Sequence, residues 1–366
     1  MIYLDNGATS FPKPQTVVEA VQQAMIRCGN PGRGGHQAAA EAERIVFTCR
    51  EASGSLFHCQ PEQVVLTGNC TQGLNMAIGS LFSPGDRVVI SGFEHNAVTR
   101  TLYGRGMKAV PAGRKLFDWE DTLKSFEAAL DQGAAGAVFT QISNVFGYIL
   151  PVEQMAELCR ERNLPFILDA AQSAGTVDLD FEKLGAAFVA MPGHKGLLGP
   201  MGTGILLCRK PGEPLFFGGT GTRSRDPDMP PFLPERMEAG TPNVPGIAGM
   251  LAGMKLVKKL GPEKIGERER RQAALAGEGL QKLGLRTFRG PHQAGTVSFL
   301  PRGDCEEMAA LLAKENIAVR AGLHCAPLAH ASAGTLETGT VRVSFGIQAD
   351  FSQTEALLQG VSKGSI

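Results

Sequence analysis

The sequence predicts an α/β protein, a mostly parallel sheet covered by helices and followed by a smaller α+β part. Three observations carry this reading. Apolar runs of strand length alternate with helical periodicities from about residue 38 to residue 208, the pattern of βαβ units. Polar residues stand directly after four of these runs: Glu94-His95-Asn96, Ser143-Asn144, Asp169 with Gln172, and His194-Lys195. Open α/β sheets bind ligands beyond the carboxyl ends of their strands, so four strand ends with candidate contacts form a constellation. Beyond Asn243 the pattern changes to two long helices and a few strand-like runs, which marks the second part.

Residues 3–14 read as a strand tip running into turn residues, and residues 14–27 as a helix with Val17, Val18, Val21 and Met25 on one side. Residues 30–36 are a Gly-rich loop whose Arg33 and His36 are candidates to line a site. A helix over 38–57 precedes a strand over 63–67, a turn over 68–73 and a helix to 81. The first N–H groups of such a helix are unpaired and favour an anion, so Cys70, Thr71 and Gln72 could carry a phosphate; Thr71 as a simple helix cap is the other reading. Further strands fall at 87–91, 137–140 and 165–168, with a helix over 153–162. Helices over 246–260 and 263–283, a strand over 295–300, a helix over 306–315 and a strand over 341–345 complete the chain. Between the last two, residues 321–340 read as a loop with little to pin it down.

The 366 residues suffice for two domains, and 43% hydrophobic content suffices for their cores. Thirty-six basic and thirty-six acidic residues cancel, so no overall field points to nucleic acid or to an anionic membrane. The first residues show no basic head followed by an apolar run, and no apolar segment is long enough to span a bilayer; the expected address is the cytoplasm. Eight cysteines are scattered without Cys-x-x-Cys pairs or a Cys/His grid, which argues against a disulfide scaffold or a structural metal.

Lys195 is the candidate centre. It lies between the apolar runs 188–190 and 205–207 amid glycines that let backbone approach a ligand closely. A lysine held at a strand end is desolvated, which lowers its pKa and suits it to form a Schiff base; a solvated turn lysine is the plain alternative.

These residues resemble the pyridoxal-phosphate enzymes of the class V aminotransferase group, and within it the cysteine desulfurase and selenocysteine lyase family. The similarity runs from Leu4-Asp-Asn-Gly-Ala-Thr9 to Val341-Arg-Val-Ser-Phe345. Its strongest pieces are Leu168-Asp-Ala-Ala-Gln172, Gly193-His-Lys195, Glu238-Ala-Gly-Thr-Pro-Asn243 and Arg320-Ala-Gly-Leu-His-Cys325. The resemblance implies the fold type I of PLP-dependent transferases: a large domain of residues 15–250 with a seven-stranded sheet, and a small α+β domain of residues 1–14 with 251–366 carrying a catalytic cysteine loop.

It further implies pyridoxal 5'-phosphate on Lys195, which also serves as the base at the substrate Cα. Asp169 would pair with the ring nitrogen, His95 would stack on the ring, and Gln172 and Asn144 would sit near the phenolic oxygen. Thr71, with Cys70 and His194, would hold the phosphate, and Thr241 would reach the phosphate of a partner subunit in a homodimer. Arg342 would clamp the substrate carboxylate, with Asn144 and His36 as further substrate contacts. Cys325, in reach of solvent beside His324, would attack the substrate sulfur as thiolate.

The implied reaction takes L-cysteine to L-alanine and leaves a persulfide for a sulfur-acceptor protein, with iron–sulfur cluster assembly among the pathways served. Selenocysteine lyase, a class V aminotransferase, a C–S lyase and a cofactor-binding module without turnover are the alternatives. Two departures from the family pattern stand out: Pro192 lies where many relatives place a phosphate-binding serine, and Asn69-Cys70-Thr71 stands where Gly-Thr-Thr is common.

Overall fold

A computed structural model describes residues 1–32 and 34–364; Arg33 lies outside the described residues. The chain opens with β1 (Ile2–Tyr3), α1 (Gln15–Arg27) and α2 (Gln37–Phe57). Alternation follows: β2 (Val64–Thr67), α3 (Cys70–Leu81), β3 (Arg87–Ser91), α4 (Asn96–Gly104), β4 (Lys108–Ala112), α5 (Trp119–Leu130), β5 (Gly136–Thr140), α6 (Val152–Glu161), β6 (Phe166–Asp169), the one-turn α7 (Phe181–Leu184), β7 (Phe188–Pro192) and β8 (Gly204–Cys208). These strands form one sheet in the order β2-β8-β7-β6-β5-β3-β4. The pairs from β4 through β7 are parallel, joined by helical crossovers, whereas β8 is antiparallel to both β7 and β2. The turn between β7 and β8 carries Lys195 and contains no crossover helix, which is why the sheet reverses direction there.

Every residue of β5, β6, β7 and β8 is buried, the signature of strands covered on both faces. Alternate residues feed two cores. Phe139, Leu168, Val189 and Leu207 face one, and Val138, Ile167, Phe188 and Leu206 the other. Strand β4 has no counterpart among the strands expected from sequence because its five residues, Lys-Ala-Val-Pro-Ala, hold a proline and are mostly uncovered, as befits an edge.

The remainder comprises α8 (Val244–Leu260), α9 (Pro262–Lys282), β9 (Arg286–Phe288), β10 (Thr296–Leu300), α10 (Cys305–Lys314), β11 (Ile317–Ala318), β12 (Arg320–Gly322), α11 (Pro327–Ala333), β13 (Thr340–Ser344) and α12 (Phe351–Gly364). A second, antiparallel sheet runs β12-β13-β10-β9. Strand β1 pairs with β11, and Asp5 bridges to Ser344, so the N-terminus is strapped to the C-terminal third. Helix α8 braces the Lys195 turn from behind: a Cβ on Gly253 would sit 2.2 Å from the Leu197 carbonyl oxygen, so only glycine permits this approach.

The expectation of an unpinned loop over 321–340 is corrected by α11, which begins with Pro327 at its first turn and ends on Gly334 at φ 67°. Seven residues, Pro327 to Ala333, are too few for a readable period, but the Pro-then-Gly bracketing is the local signal of a helix.

Candidate active site

Lys195 lies in the turn after β7, and the turn is closed by its own backbone. Gly193 N–H donates to Thr203 O at 2.9 Å, Gly199 N–H to Gly193 O at 2.7 Å, and Leu198 N–H to Lys195 O at 2.9 Å. Burial pushes the Lys195 ammonium below its ordinary range, against the pull of the Asp169 carboxylate. Among the described residues no hydrogen bond or ion pair engages its Nζ, so the amine is available.

The N-terminal strap holds the residue next to it. The His194 carbonyl oxygen accepts from Lys13 Nζ at 2.7 Å, Thr9 Oγ1 at 3.0 Å, Ser10 Oγ at 3.1 Å and Ser10 N–H at 3.0 Å. The sequence alone does not disclose these roles of Thr9, Ser10 and Lys13, because they bond to backbone across more than 180 residues and leave no local pattern. The His194 ring is partly covered, its Nδ1 buried without a partner among the described residues, and burial lowers its pKa to about 4.

Asp169 ends β6 and is buried; its Oδ1 accepts from Ala171 N–H at 2.9 Å and Cys70 Sγ at 3.6 Å. No donor reaches Oδ2 among the described residues, and burial raises the carboxyl pKa. Cys70 begins α3, whose cap is Asn69: Oδ1 of Asn69 accepts from Gln72 N–H at 2.8 Å. Thr71 as helix cap is therefore corrected. Thr71 is exposed, and the Cys70 and Thr71 N–H groups have no partner among the described residues, which leaves an anion cup at the helix N-terminus.

His95 caps α4, its Nδ1 accepting from Ala97 N–H at 3.0 Å, and burial with the nearby Lys195 charge lowers its pKa to about 4. The ring is thus a neutral imidazole. Gln172 Nε2 donates to Gly7 O at 3.0 Å, and Gln172, Lys195, Asn6, Gly7, Ser10 and Ser344 line one cavity. Arg342 is fully buried on β13; its Nη2 meets Asp5 Oδ1 at 2.5 Å and its Nη1 donates to Asn144 O at 2.9 Å, while Nε has no partner among the described residues. Its fork is therefore pre-set by the strap and by the turn after β5.

Cys325 is the exposed one among eight free cysteines and sits at φ 55° after His324 at φ 49°. Two groups from beyond the second sheet hold this turn: Asn96 N–H donates to Cys325 O at 2.8 Å, and Asn144 Nδ2 to His324 O at 2.8 Å. The expected help from His324 is corrected. Its ring is buried, with Nε2 3.1 Å from Thr340 O, and burial drives its pKa to about 2, so it stays neutral and brings no charge to the thiol. The Asn144 side-chain amide N–H is likewise spent on the Cys325 turn.

His36 is exposed and caps α2, accepting from Ala39 N–H at 3.3 Å, and Thr241 is exposed without a side-chain hydrogen bond among the described residues; neither bonds to the cluster. Arg320 belongs to one of the sequence motifs, but no pattern around it assigns it a role. It is the register partner of Arg342, and its charge lowers the pKa of Lys195, His95 and His324. The pairing of two arginines across β12 and β13 becomes visible only once those strands are aligned.

Four histidines, 95, 194, 324 and 330, have folded pKa values pushed by burial to about 4 or below, against about 6.5 when unfolded. A depressed pKa means that the unfolded chain binds the proton, so stability is lost as pH falls from 6.5 towards 4. Glu94, Asp169 and Glu269 are shifted up and oppose this, but they are fewer. Calorimetry of the cofactor-free protein is expected to show Tm falling as pH drops through this window; a flat Tm would contradict buried neutral imidazoles.

A family model described as Aminotransferase class-V matches residues 2–357. A protein from Pyrococcus abyssi named probable cysteine desulfurase is 34% identical, with 98% of this chain and 92% of that one aligned. A probable cysteine desulfurase from Xylella fastidiosa is 32% identical over 89% of this chain and 82% of its own. Among solved structures, the apo cysteine desulfurase of Thermococcus onnurineus NA1 superposes with a TM-score of 0.89 at 30% identity, covering 100% of this chain and 94% of the other. The Escherichia coli cysteine desulfurase CsdA, solved as an S-sulfonic acid, gives 0.86 at 28% identity, covering 99% and 94%.

Proposed function

The chain belongs to the class V aminotransferase family, and from that premise we infer that it is a PLP-dependent cysteine desulfurase converting L-cysteine to L-alanine. The observation that carries the sulfur chemistry is the single exposed cysteine, Cys325, whose turn is held by Asn96 and by Asn144, the residue whose carbonyl also holds Arg342.

The residues fit pyridoxal 5'-phosphate. Among the described residues, a buried carboxylate with one oxygen unengaged suits a cationic ring nitrogen, a lysine amine without a partner suits the aldehyde, and two unpaired helix N–H groups suit a phosphate. Lys195 would hold it, Asp169 would keep the ring nitrogen protonated and the neutral His95 would lie on its face. Cys70, Thr71 and His194 would receive the phosphate, with Gln172 near the phenolic oxygen. When bound, the cofactor supplies the electron sink that labilises bonds at the substrate Cα.

The chain's own groups do the rest. Arg342, fixed by Asp5 and the Asn144 carbonyl, takes the substrate carboxylate. Lys195, with its ammonium destabilised by burial, removes the Cα proton and returns protons to the carbon skeleton. The Cys325 thiolate attacks the substrate sulfur; the new S–S bond forms as the Cβ–S bond breaks, the electron pair passes to Cβ, and a proton completes alanine. Cys325 is left as a persulfide, which an acceptor protein or a small thiol removes, as iron–sulfur cluster assembly would require. Thr241, exposed and unengaged, would serve a second copy in a homodimer. Among the described residues no helix is long and apolar enough to cross a membrane; the cytoplasm is part of this proposal on family grounds.

The test is product analysis with L-cysteine and a thiol reductant. Equal alanine and sulfide from the wild type, and loss of both in Cys325→Ala, are expected. Full turnover in Cys325→Ala would overturn the role of Cys325. Pyruvate as product would instead indicate C–S lyase chemistry, and turnover confined to L-selenocysteine would indicate the lyase.

A further inference from the structure

Glu94 is completely buried three residues after the end of β3, and its carboxyl is satisfied on one oxygen only. Oε1 accepts from Ser91 Oγ in a short hydrogen bond and from Thr140 N–H at 2.9 Å; Oε2 is buried with no partner among the described residues. Thr140 is the residue of β5 that stands in register with Asp169 on β6, and the next amide, Gln141 N–H, donates to Asp169 O at 3.1 Å. The two residues after Glu94 are His95, whose ring caps α4, and Asn96, whose N–H holds the Cys325 carbonyl. One carboxyl therefore ties the β3–α4 junction to the strand end beside Asp169.

We propose that Glu94 is a positioning residue for this site, a buried carboxyl that locks the β3–α4 junction to β5 and thereby sets the His95 ring and the Asn96 latch on Cys325. The inference rests on the reading of this cluster as the active site. A bare carboxylate oxygen in a dry interior is costly, whereas a protonated carboxyl carries no charge, and among the described residues no cation is paired with Glu94. Its own element offers only Ser91, β5 offers the Thr140 amide, and the charged group that bears on it is Asp169 of β6, which disfavours ionisation; burial and Asp169 together raise the Glu94 pKa to about 8. A hydrophobic residue of similar size would fill the space, but it could not hold the Thr140 amide.

A carboxyl whose folded pKa is raised contributes stability that is complete below its unfolded value and is lost as pH climbs through the folded one. Glutamine at 94 cannot ionise and lacks that loss. In cofactor-free protein, the Tm of Glu94→Gln relative to wild type is expected to rise by about 2–4 °C between pH 5 and pH 9. A gap that stays constant with pH would overturn the neutral acid. This readout involves neither cysteine nor cofactor, so it stands apart from any failure of the desulfurase reading.

Positioning is tested with Glu94→Asp, whose shorter side chain cannot span Ser91 and Thr140 together. Alkylation of Cys325 by iodoacetamide in the cofactor-free protein is expected to quicken several-fold as the Asn96 latch loosens, and the dichroism of bound cofactor is expected to weaken. An alkylation rate and a dichroism both equal to wild type would reduce Glu94 to a core filler and overturn its positioning role.

Discussion

Lys195→Ala is expected to lose L-cysteine turnover by about 10³-fold or more, together with the visible absorbance of cofactor on the purified protein. The amine is both the attachment point and the proton carrier, and among the described residues no second lysine is placed to replace it. Lys13, the other lysine of the region, has Nζ committed to the His194 carbonyl and Ser10 Oγ. The buried Asp169 would lose its nearest cation as well, so the variant is expected to differ from wild type in cofactor affinity and not in turnover alone. Lys195→Arg separates the two effects: it keeps the charge near Asp169 but has no amine to give or take protons. Retained turnover in either variant, measured as alanine released, would remove Lys195 from the mechanism.

Arg342→Lys is expected to raise KM for L-cysteine and to lower kcat/KM by about 10–100-fold, with a smaller change in stability. The guanidinium is held at two points, Asp5 and the Asn144 carbonyl, and the planar fork lets a third group, a carboxylate, be met without rearrangement. A lysine can keep the charge opposite Asp5 but cannot make all three contacts. Arg342→Ala is expected to be worse on both counts, because it also leaves Asp5 without its cation. Steady-state kinetics with thermal melts on both variants separates these effects; an unchanged KM in Arg342→Lys would place the substrate carboxylate elsewhere, with Arg320 the next candidate.

Much of the fold and part of the site are legible in the amino-acid sequence alone. The α/β alternation is readable because β5 to β8 are buried on both faces and so appear as continuous apolar runs flanked by helical periods. Lys195, Asp169, His95 and Asn144 are legible as polar residues at successive strand ends, which the parallel topology brings to one edge.

What stays hidden in the sequence is what depends on contacts far apart along it. The strap from Asp5 to Lys13 joins Arg342, Gln172 and the Lys195 turn through backbone and side-chain bonds that no periodicity encodes. The Cys325 turn reads as unpinned because its fasteners, Asn96 and Asn144, lie far away along the chain. Adjacency alone suggests His324 as a helper of the thiol, whereas its ring turns into the interior; adjacency along a chain says nothing of direction when both residues have positive φ.

The most direct test of the central claim is the mass of the Cys325 peptide from cofactor-loaded enzyme mixed briefly with L-cysteine and quenched by alkylation without reductant. One additional sulfur is expected on Cys325, absent from the other seven cysteines and lost when a thiol reductant is added before the quench. Alanine formed in that same mixture with Cys325 unmodified and reactive would contradict the persulfide mechanism.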